Sequence, residues 1–548
     1  MADRLDCVLI GYNDPPFESY AGILRQYGED SEAYRDLKTS FVQVDGQKLN
    51  YADLMNYVYE RAQGRDGSAY SSGALKSGEI PNLAAAYLTN TLRRRGGKAD
   101  YINLFQHEKD RLSELLERDP RCVAITTTFY VWNFPVHEMV AFIRERNARV
   151  PIVIGGPLIA NHARNYAGED LAAALRDVGA DIFVNESQGE ETLWRVIEVL
   201  REGGDLGSVP NIAYFEPGGD LRVNPLEPEG NSLDENYIDW QALSDADLGA
   251  TLQTRTARSC AFKCAFCNYP TRAGKLTLAG LDTLEKELDS MAARGNVRYV
   301  VFIDDTFNVP LPRFKNICRL MIRKNYGFNW FSYFRCSNSD EEAVELMARS
   351  GCKGVFLGIE SGSPSILENM NKSASADFYR RGIEMLHRHG ILTFGSFIVG
   401  FPGETEQTVA ETIDFIRETK VDFYRAQMWY NEAGTPIHKE KERYGITGDG
   451  FVWTHDTMDS LEAMDHIERM LLTISDSQWL PQWSFDFWFI PYILGKGITL
   501  DQFKGFMRLA NRMLALEIAS VPADEKRALQ HGYLEAMTAQ ARDWTLIS

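Results

Sequence analysis

The chain has 548 residues, 44% of them hydrophobic, and a formal net charge of −19 from 58 Lys and Arg against 77 Asp and Glu. Such length calls for several domains, each able to bury a core. The negative balance repels phosphate backbones and argues against a nucleic-acid partner, and no apolar run reaches the roughly 18–20 residues of a membrane span. The N-terminal MADRLDCVLIGY lacks a basic stretch ahead of an apolar one, so the expectation is a cytoplasmic protein with no signal peptide. Eight cysteines in this length are no disulfide framework and would stay reduced in the cytoplasm. Cys7, Cys122, Cys318, Cys336 and Cys352 are scattered through apolar patterns and read as small buried hydrophobes.

In chain order, residues 1–215 read as an α/β unit. CVLIGY (7–12), ADYINLF (99–105), CVAITTTF (122–129), VPIVIGG (150–156) and ADIFVNE (180–186) are strand-like, and a helix begins near Ile80 with Pro81 at its start. This predicts an open, doubly wound parallel sheet with a crevice at the strand carboxyl ends. The turns there are small and polar: Thr126, Thr127 and Thr128; Gly155 and Gly156; Gly189 and Glu190. No G-x-G-x-x-G follows the first strand, which disfavours a nicotinamide site. Between the first strand and its helix lie about 60 extra residues, roughly 15–79, including the Gly/Ser-rich GRDGSAYSSGALKSGE (64–79). Loops of that length are usually functional or disordered. This one reads as a cap over a ligand channel or as a surface excursion. A linker is expected over 216–249.

From 250 to 435, LQTRTAR (252–258), VRYVVFI (297–303), NWFSYF (329–334), KGVFLGI (353–359), ILTFGSFIV (391–399) and VDFYRAQMWY (421–430) alternate with amphipathic segments. Six βα repeats with right-handed crossovers predict a partial (β/α)6 barrel with its chemistry at the carboxyl strand ends. Those ends carry Asp304 and Asp305, Arg335, Glu360 and Ser361, and the turn from Gly400 to Thr405. After the first strand comes SCAFKCAFCNYP, with Cys260, Cys264 and Cys267. A structural zinc site takes four ligands, and no second cysteine pair or nearby His exists to complete one. A [4Fe–4S] cluster normally takes four thiolates; three leave one iron open. Residues 436–548 look helical around the aromatic run WLPQWSFDFWFIPYIL (479–494). His455, in the polar WTHDTMDS (453–460), is a substrate-side candidate.

The C-x3-C-x2-C spacing resembles the signature of the radical S-adenosylmethionine (SAM) superfamily. The sheet ahead of it resembles the cobalamin-binding domain of the class B radical SAM methylases. Within that class, SCAFKCAFCNYPTRAG, FIDDTF, GIESGS and WTHDTMDS with its aromatic run resemble the P-methyltransferases of phosphinothricin-tripeptide biosynthesis. The resemblance implies a [4Fe–4S] cluster on Cys260, Cys264 and Cys267, with SAM on the open iron. Phe266, Ile398 and Val399 would lie by the adenine. Asp304, Asp305, Glu360 and Ser361 would meet the ribose or amino group, and Arg335 the carboxylate or a neighbouring acid. Gly155 and Gly156 would let the backbone approach cobalamin's nucleotide tail, lined by Thr126 to Thr128, Gly189 and Glu190. No Asp-x-His-x-x-Gly is present, so no protein His is implied at cobalt.

The implied activity is methyl transfer from methylcobalamin to a substrate radical on a small or peptide-like natural-product precursor. The methyl acceptor would be a phosphinate phosphorus or an unactivated carbon, and the electron donor a flavodoxin or ferredoxin. Ring contraction or cyclisation is the rival chemistry. A methylthiotransferase would want a second cluster, for which Cys7 and Cys122 do not suffice. A non-catalytic binding module would not explain the strand-end acids.

Overall fold

The computed structural model describes residues 4–65, 75–128, 130, 132–243, 248–482, 487–519 and 521–547. The chain divides into two compact units. One comprises Met1–Pro15, Gly78–Gly249 and Thr277–Gly295; the other comprises Pro16–Ser77, Ala250–Leu276 and Asn296–Ser548.

The first unit is built on a seven-stranded sheet of β1 (Cys7–Tyr12), β2 (Ala99–Leu104), β3 (Cys122–Thr126), β4 (Ile152–Gly155), β5 (Ile182–Val184), β6 (Ile212–Phe215) and β7 (Leu221–Val223), in the order β2-β1-β3-β4-β5-β6-β7. The first five are parallel, and β6 and β7 add antiparallel strands at one edge. Strands buried on both faces read as continuous apolar runs, which is why they were visible in the sequence. Val8, Ile10, Ile102, Ile125 and Ile154 share one core with Leu112, Leu116, Val136, Met139 and Ile143 of the covering helices. The order reverses between β1 and β3, and a doubly wound sheet binds ligands at the carboxyl ends flanking that reversal. The expected linker is part of this unit: β7 lies within it, and Glu229 caps the helix Glu190–Glu202 through Glu191 N (2.9 Å) and Thr192 N (2.8 Å).

The second unit holds a parallel sheet of β8 (Thr251–Thr254), β9 (Tyr299–Phe302), β10 (Asn329–Tyr333), β11 (Cys352–Glu360), β12 (Leu392–Val399), β13 (Phe423–Met428) and β14 (Gln478–Trp479), in sequential order. The six expected strands are there, and the start of the aromatic run adds a short seventh. Side chains alternate between the two faces, apart from register shifts at Trp330–Phe331 and Gly358–Glu360. On the outer face Trp330 packs edge-on against Phe314 of the helix Leu311–Lys324, and Phe397 against Phe415 of Glu406–Thr419. On the inner face Tyr333, Phe356 and Phe394 converge on Phe487. The C-terminal segment is not all helical: Thr447–Asp449, Val452–His455 and Met458–Asp459 form a small antiparallel sheet.

The long insertion is folded rather than an irregular loop. Its helices Phe17–Arg25, Glu32–Lys38 and Tyr51–Ala62 and its hairpin of Phe41–Val44 with Gln47–Asn50 are built into the second unit. Ser31 and Asn50 side chains cap two of those helices. Arg35 pairs with Asp465 (2.7 Å) and Glu468 (3.0 Å), Trp479 Nε1 donates to Thr39 O (3.1 Å), and Tyr51 OH donates to Asn511 Oδ1 (2.8 Å). Much of the Gly/Ser-rich stretch, 66–74, lies outside the described residues.

Tyr51 is fully buried and meets Phe506 edge-on, with ring centroids 6.2 Å apart. Tyr51→Ala should therefore cost about 3–5 kcal/mol, as removal of a buried aromatic side chain does. Guanidinium unfolding reads it, and an unchanged midpoint would mean that the insertion is energetically separate.

Candidate active site

The cysteine loop has an irregular backbone, so its polar groups need partners from elsewhere. At its root, Thr256 N and Ala257 N donate to Asp304 Oδ1 (2.6 and 2.9 Å), and Thr256 Oγ1 donates to Oδ2 (2.5 Å). Ser259, in the left-handed region at φ +72°, donates its hydroxyl to Gly274 O (2.6 Å). Further on, Ala265 N donates to Met370 O (2.8 Å), Asn371 Nδ2 to Lys263 O (2.7 Å), and Ile437 N to Ala265 O (2.9 Å). Cys264 is buried, while Cys260 and Cys267 are half-buried, with Cys260 Sγ 3.8 Å from Thr306 Oγ1. Burial, then Cys264, Asp305 and Cys260, push the Cys267 thiol up to about 11. Among the described residues no three Cys, His, Asp or Glu converge closely enough to hold a single ion. A cubane does not ask for that, because each thiolate binds its own iron. Three neighbouring thiols on one pinned loop are the donor set such a cluster uses.

The strand-end residues divide into committed and available groups. Asp304 gives both oxygens to the loop root. Ser361 exchanges a hydrogen bond with Thr412 Oγ1 (3.1 Å) and accepts from Ser363 N (3.1 Å). Both side chains are thus already engaged by neighbouring protein groups. Asp305 reaches open space, yet protein surrounds much of it, and burial together with Asp304 pushes its carboxyl up to about 7. Arg335 is buried, its guanidinium lies 3.7 Å from the centre of the Phe262 ring, and Nε donates to Ser337 Oγ (3.1 Å). Its Nη2 is buried with no hydrogen-bond partner among the described residues. An anionic group would satisfy that atom, which fits the carboxylate of SAM. Ile398 lies on the inner face with Phe394; Val399, one residue on, alternates to the outer face, away from any ligand inside the barrel.

Glu360 closes β11 at φ +70°, a strained conformation for a residue with a side chain. Its Oε1 accepts from Lys372 Nζ at 2.8 Å, and both side chains are buried. Burial opposes the Lys372 charge, but Glu360 outweighs it and holds the ammonium well above the ordinary lysine range. The same ammonium stands 5.4 Å from the centre of the Phe266 ring. Lys372 thus links the acid at the end of β11 to the aromatic beside Cys267. The sequence offered no signal for it, since NMNKSAS has no motif spacing. The Gly400 turn is also internally bound. Gly400 N donates to Glu404 Oε2 (2.5 Å), and Gly400 O meets His455 Nε2 (3.1 Å). A Cβ on Gly400, at φ +85°, would fall 2.4 Å from Trp453. His455, stacked on Trp453 with centroids 5.2 Å apart, is therefore a packing residue of this turn and not a substrate-side one.

In the first unit, Thr126 Oγ1 donates to Gly11 O (3.2 Å), Thr127 Oγ1 donates to Gly155 O (2.9 Å), and Thr128 is exposed. Gly156 sits at φ +112°, where a Cβ would meet Thr127 Oγ1 at 2.8 Å. Gly155 and Gly156 thus leave bare backbone at the end of β4, beside the reversal. Glu190 is buried and Gly189 half-buried. Glu229 caps their helix, and Glu190, almost fully buried, accepts from Asn231 Nδ2 (2.9 Å). Residues the sequence reading did not name stand at the reversal itself. Asn13 Oδ1 and Gln106 Nε2 are buried without hydrogen-bond partners among the described residues, and burial pushes Asp14 up to about 6. Orphaned amide atoms at this crevice suit a corrin, whose rim carries amide side chains.

Residues 254–416 match the Radical SAM superfamily domain, and residues 75–193 match the B12 binding domain. An uncharacterized methyltransferase of Pyrococcus horikoshii is 26% identical over 358 residues, covering 63% of this chain and 74% of that protein. An anaerobic magnesium-protoporphyrin IX monomethyl ester cyclase of Rubrivivax gelatinosus is 25% identical over 433 residues, covering 73% and 74%. Among solved structures, the cobalamin-dependent S-adenosylmethionine radical enzyme OxsB, with aqua-cobalamin and S-adenosylmethionine bound, superposes with a TM-score of 0.56 at 14% identity, over 85% of this chain and 83% of that one. With the two domain matches and the donor sets above, this chain is a B12-binding radical SAM enzyme that uses a [4Fe–4S] cluster, SAM and cobalamin. No helix among the described residues is long and apolar enough to cross a membrane.

Two measurements follow from the buried groups. Lys372→Met strands the Glu360 carboxylate and should cost about 3–5 kcal/mol, while Lys372→Met combined with Glu360→Gln should cost less than the single change. Denaturant unfolding of the cluster-free protein decides it, and additive losses would show the pair is not coupled. Burial pushes Glu404 up to about 8 from an ordinary 4.5, against the hydrogen bond from Gly400. The folded value lies above the unfolded one, so this carboxyl's contribution is full below about 4.5 and is lost as pH rises through about 8. Glu404→Gln keeps an acceptor for Gly400 N–H and should therefore gain stability over the parent between those values and not below them. A pH-independent difference would remove Glu404 as the cause.

Proposed function

We infer that this enzyme is a methyltransferase acting on a substrate that offers no lone pair for ordinary methylation, specifically a phosphinate phosphorus bearing hydrogen in a demethylphosphinothricin-like compound. The observation that carries methyl transfer is the union, in one chain, of a B12 binding domain with a barrel whose Cys260, Cys264 and Cys267 share one pinned loop. When bound, the cluster and SAM supply a hydrogen-abstracting radical, and cobalamin supplies the methyl group.

The protein's part is binding, orientation and exclusion of water. Arg335 and Glu360, the latter fixed by Lys372, would orient SAM against the loop. Tyr333, Phe356, Phe394 and Phe487 floor the barrel with apolar surface and keep water from a reactive centre. Support for phosphorus as the acceptor is the likeness of SCAFKCAFCNYPTRAG, FIDDTF and GIESGS to the P-methyltransferases. A flavodoxin or ferredoxin would deliver the electron. The match to a magnesium-protoporphyrin ester cyclase over 433 residues favours cyclisation as the second reading.

The deciding experiment is ³¹P NMR of reconstituted enzyme with SAM, methylcobalamin, a reductant and N-acetyl-demethylphosphinothricin. Loss of the P–H coupling, a new P–CH₃ signal and equal amounts of 5′-deoxyadenosine and S-adenosylhomocysteine are expected. A retained P–H signal alongside abundant 5′-deoxyadenosine would reject the phosphorus acceptor.

A further inference from the structure

Cys264 is the middle thiol of its loop, and the residues on either side of it are held in a matching way. Phe262 and Phe266 each lie two positions from it. A cation faces each ring: the Arg335 guanidinium stands 3.7 Å from the centre of Phe262, and the Lys372 ammonium 5.4 Å from the centre of Phe266. The backbone brings the second cation there. Met370 O accepts from Ala265 N (2.8 Å), Asn371 Nδ2 donates to Lys263 O (2.7 Å), and Lys372, the next residue, reaches the ring of Phe266. Three consecutive residues thus run beside 263–266. Cys264, Arg335 and Lys372 are all buried.

Buried cations are costly, and an aromatic face repays only part of that cost. Glu360 repays more at Lys372, through Nζ to Oε1 at 2.8 Å. Its carboxylate does not cancel the effect on the loop. Burial pushes the Cys264 thiol up; Lys372 and then Arg335 act against that, ahead of Glu360, which adds to it. The net charge felt at this sulfur from its three ionic neighbours is positive.

That sign has a redox meaning. A core of two positive charges on three thiolates is a monoanion, and one added electron makes it a dianion. Net charge near a cluster and its exposure to water both set its potential. Fixed positive charge in a poorly screened interior favours the dianion. Water favours it too, because it solvates the more highly charged state better. Loss of a cation therefore lowers the potential, whereas mere loosening of the loop, which admits water, raises it.

We propose that Lys372 and Arg335 set the reduction potential of the [4Fe–4S] cluster, raising it through two buried positive charges at the Cys264 corner that Glu360 partly offsets. The step they ease is a one-electron transfer: a carrier of the flavodoxin or ferredoxin class gives up one electron, the cluster takes it, and no bond forms or breaks. This rests on Cys260, Cys264 and Cys267 holding the cluster and is independent of the methyl acceptor.

The test is an anaerobic redox titration of full-length, cluster-loaded protein before SAM or cobalamin is added, with titanium(III) citrate as reductant and the reduced cluster read by low-temperature EPR. Lys372→Met and Arg335→Gln should each lower the midpoint, by about tenfold in the reduced-to-oxidised ratio at fixed potential, or about 59 mV for one electron. Glu360→Gln should raise it. Lys372→Arg and Arg335→Lys, which keep the charge, should stay close to the parent. Iron content and Fe–S absorption check that each variant is loaded. Where Lys372→Met does not hold a cluster, Arg335→Gln against Arg335→Lys carries the test. An unchanged or raised midpoint in the loaded variants that lose a cation overturns the proposal and leaves the methyltransferase reading standing. A parent with no reduced-cluster signal overturns the cluster assignment and the proposal with it.

Discussion

Three thiols have to be presented on a segment that belongs to neither helix nor strand. Such a segment makes no ladder of its own, and every buried polar group on its backbone must find a partner elsewhere. Here the partners come from separate parts of the barrel. Asp304 after the second strand grips the root, Met370 and Asn371 after the fourth strand grip the middle, and Ile437 after the sixth reaches Ala265 O. Each bond contributes only about 1 kcal/mol net, yet together they leave the loop few alternatives. The barrel is needed less for its own stability than to bring those sequence-distant partners to one rim.

The same economy sorts the strand-end acids. Asp304 and Asp305 are neighbours in sequence with opposite situations. Asp304 receives three hydrogen bonds and is spoken for; Asp305 receives none from the loop root, and burial and its neighbour both resist its charge, pushing its carboxyl up to about 7. Glu360 is held instead by the buried ammonium of Lys372. A row of acids at strand ends is thus several different chemical groups, distinguished by what each already holds.

Much of this was legible in the sequence because it is periodic or local. Apolar runs separated by amphipathic stretches gave both parallel sheets, and the close spacing of Cys260, Cys264 and Cys267 gave the loop. What was not legible depends on packing between distant residues. Nothing in the Gly/Ser-rich insertion announced that Tyr51 would bond Asn511. Lys372 lies on no motif and matters only because a turn brings it to Glu360. Trp479 was read as the start of an aromatic stretch, and its pairing with Gln478 into a seventh strand depends on β13 already being in place. The polar run 453–460 pointed to a site, whereas His455 bonds Gly400 and stacks on Trp453. Polarity in sequence does not say whether a group faces a ligand or a neighbouring turn.

The insertion also sets the order in which the chain can be completed. Its helix Glu32–Lys38 follows the first strand by about 20 residues, yet Arg35 pairs with residues 430 and 433 positions later, and Tyr51 bonds a residue 460 positions later. Contacts of such separation slow folding and lengthen the life of exposed apolar surface. During synthesis the amphipathic helices of 16–77 emerge early and wait, unpartnered, until almost the whole polypeptide has left the ribosome. An N-terminal fragment ending before residue 460 therefore carries a sticky, half-made subdomain. Shortened forms of this enzyme are better built by removing both ends of that partnership together than by trimming the C-terminus alone.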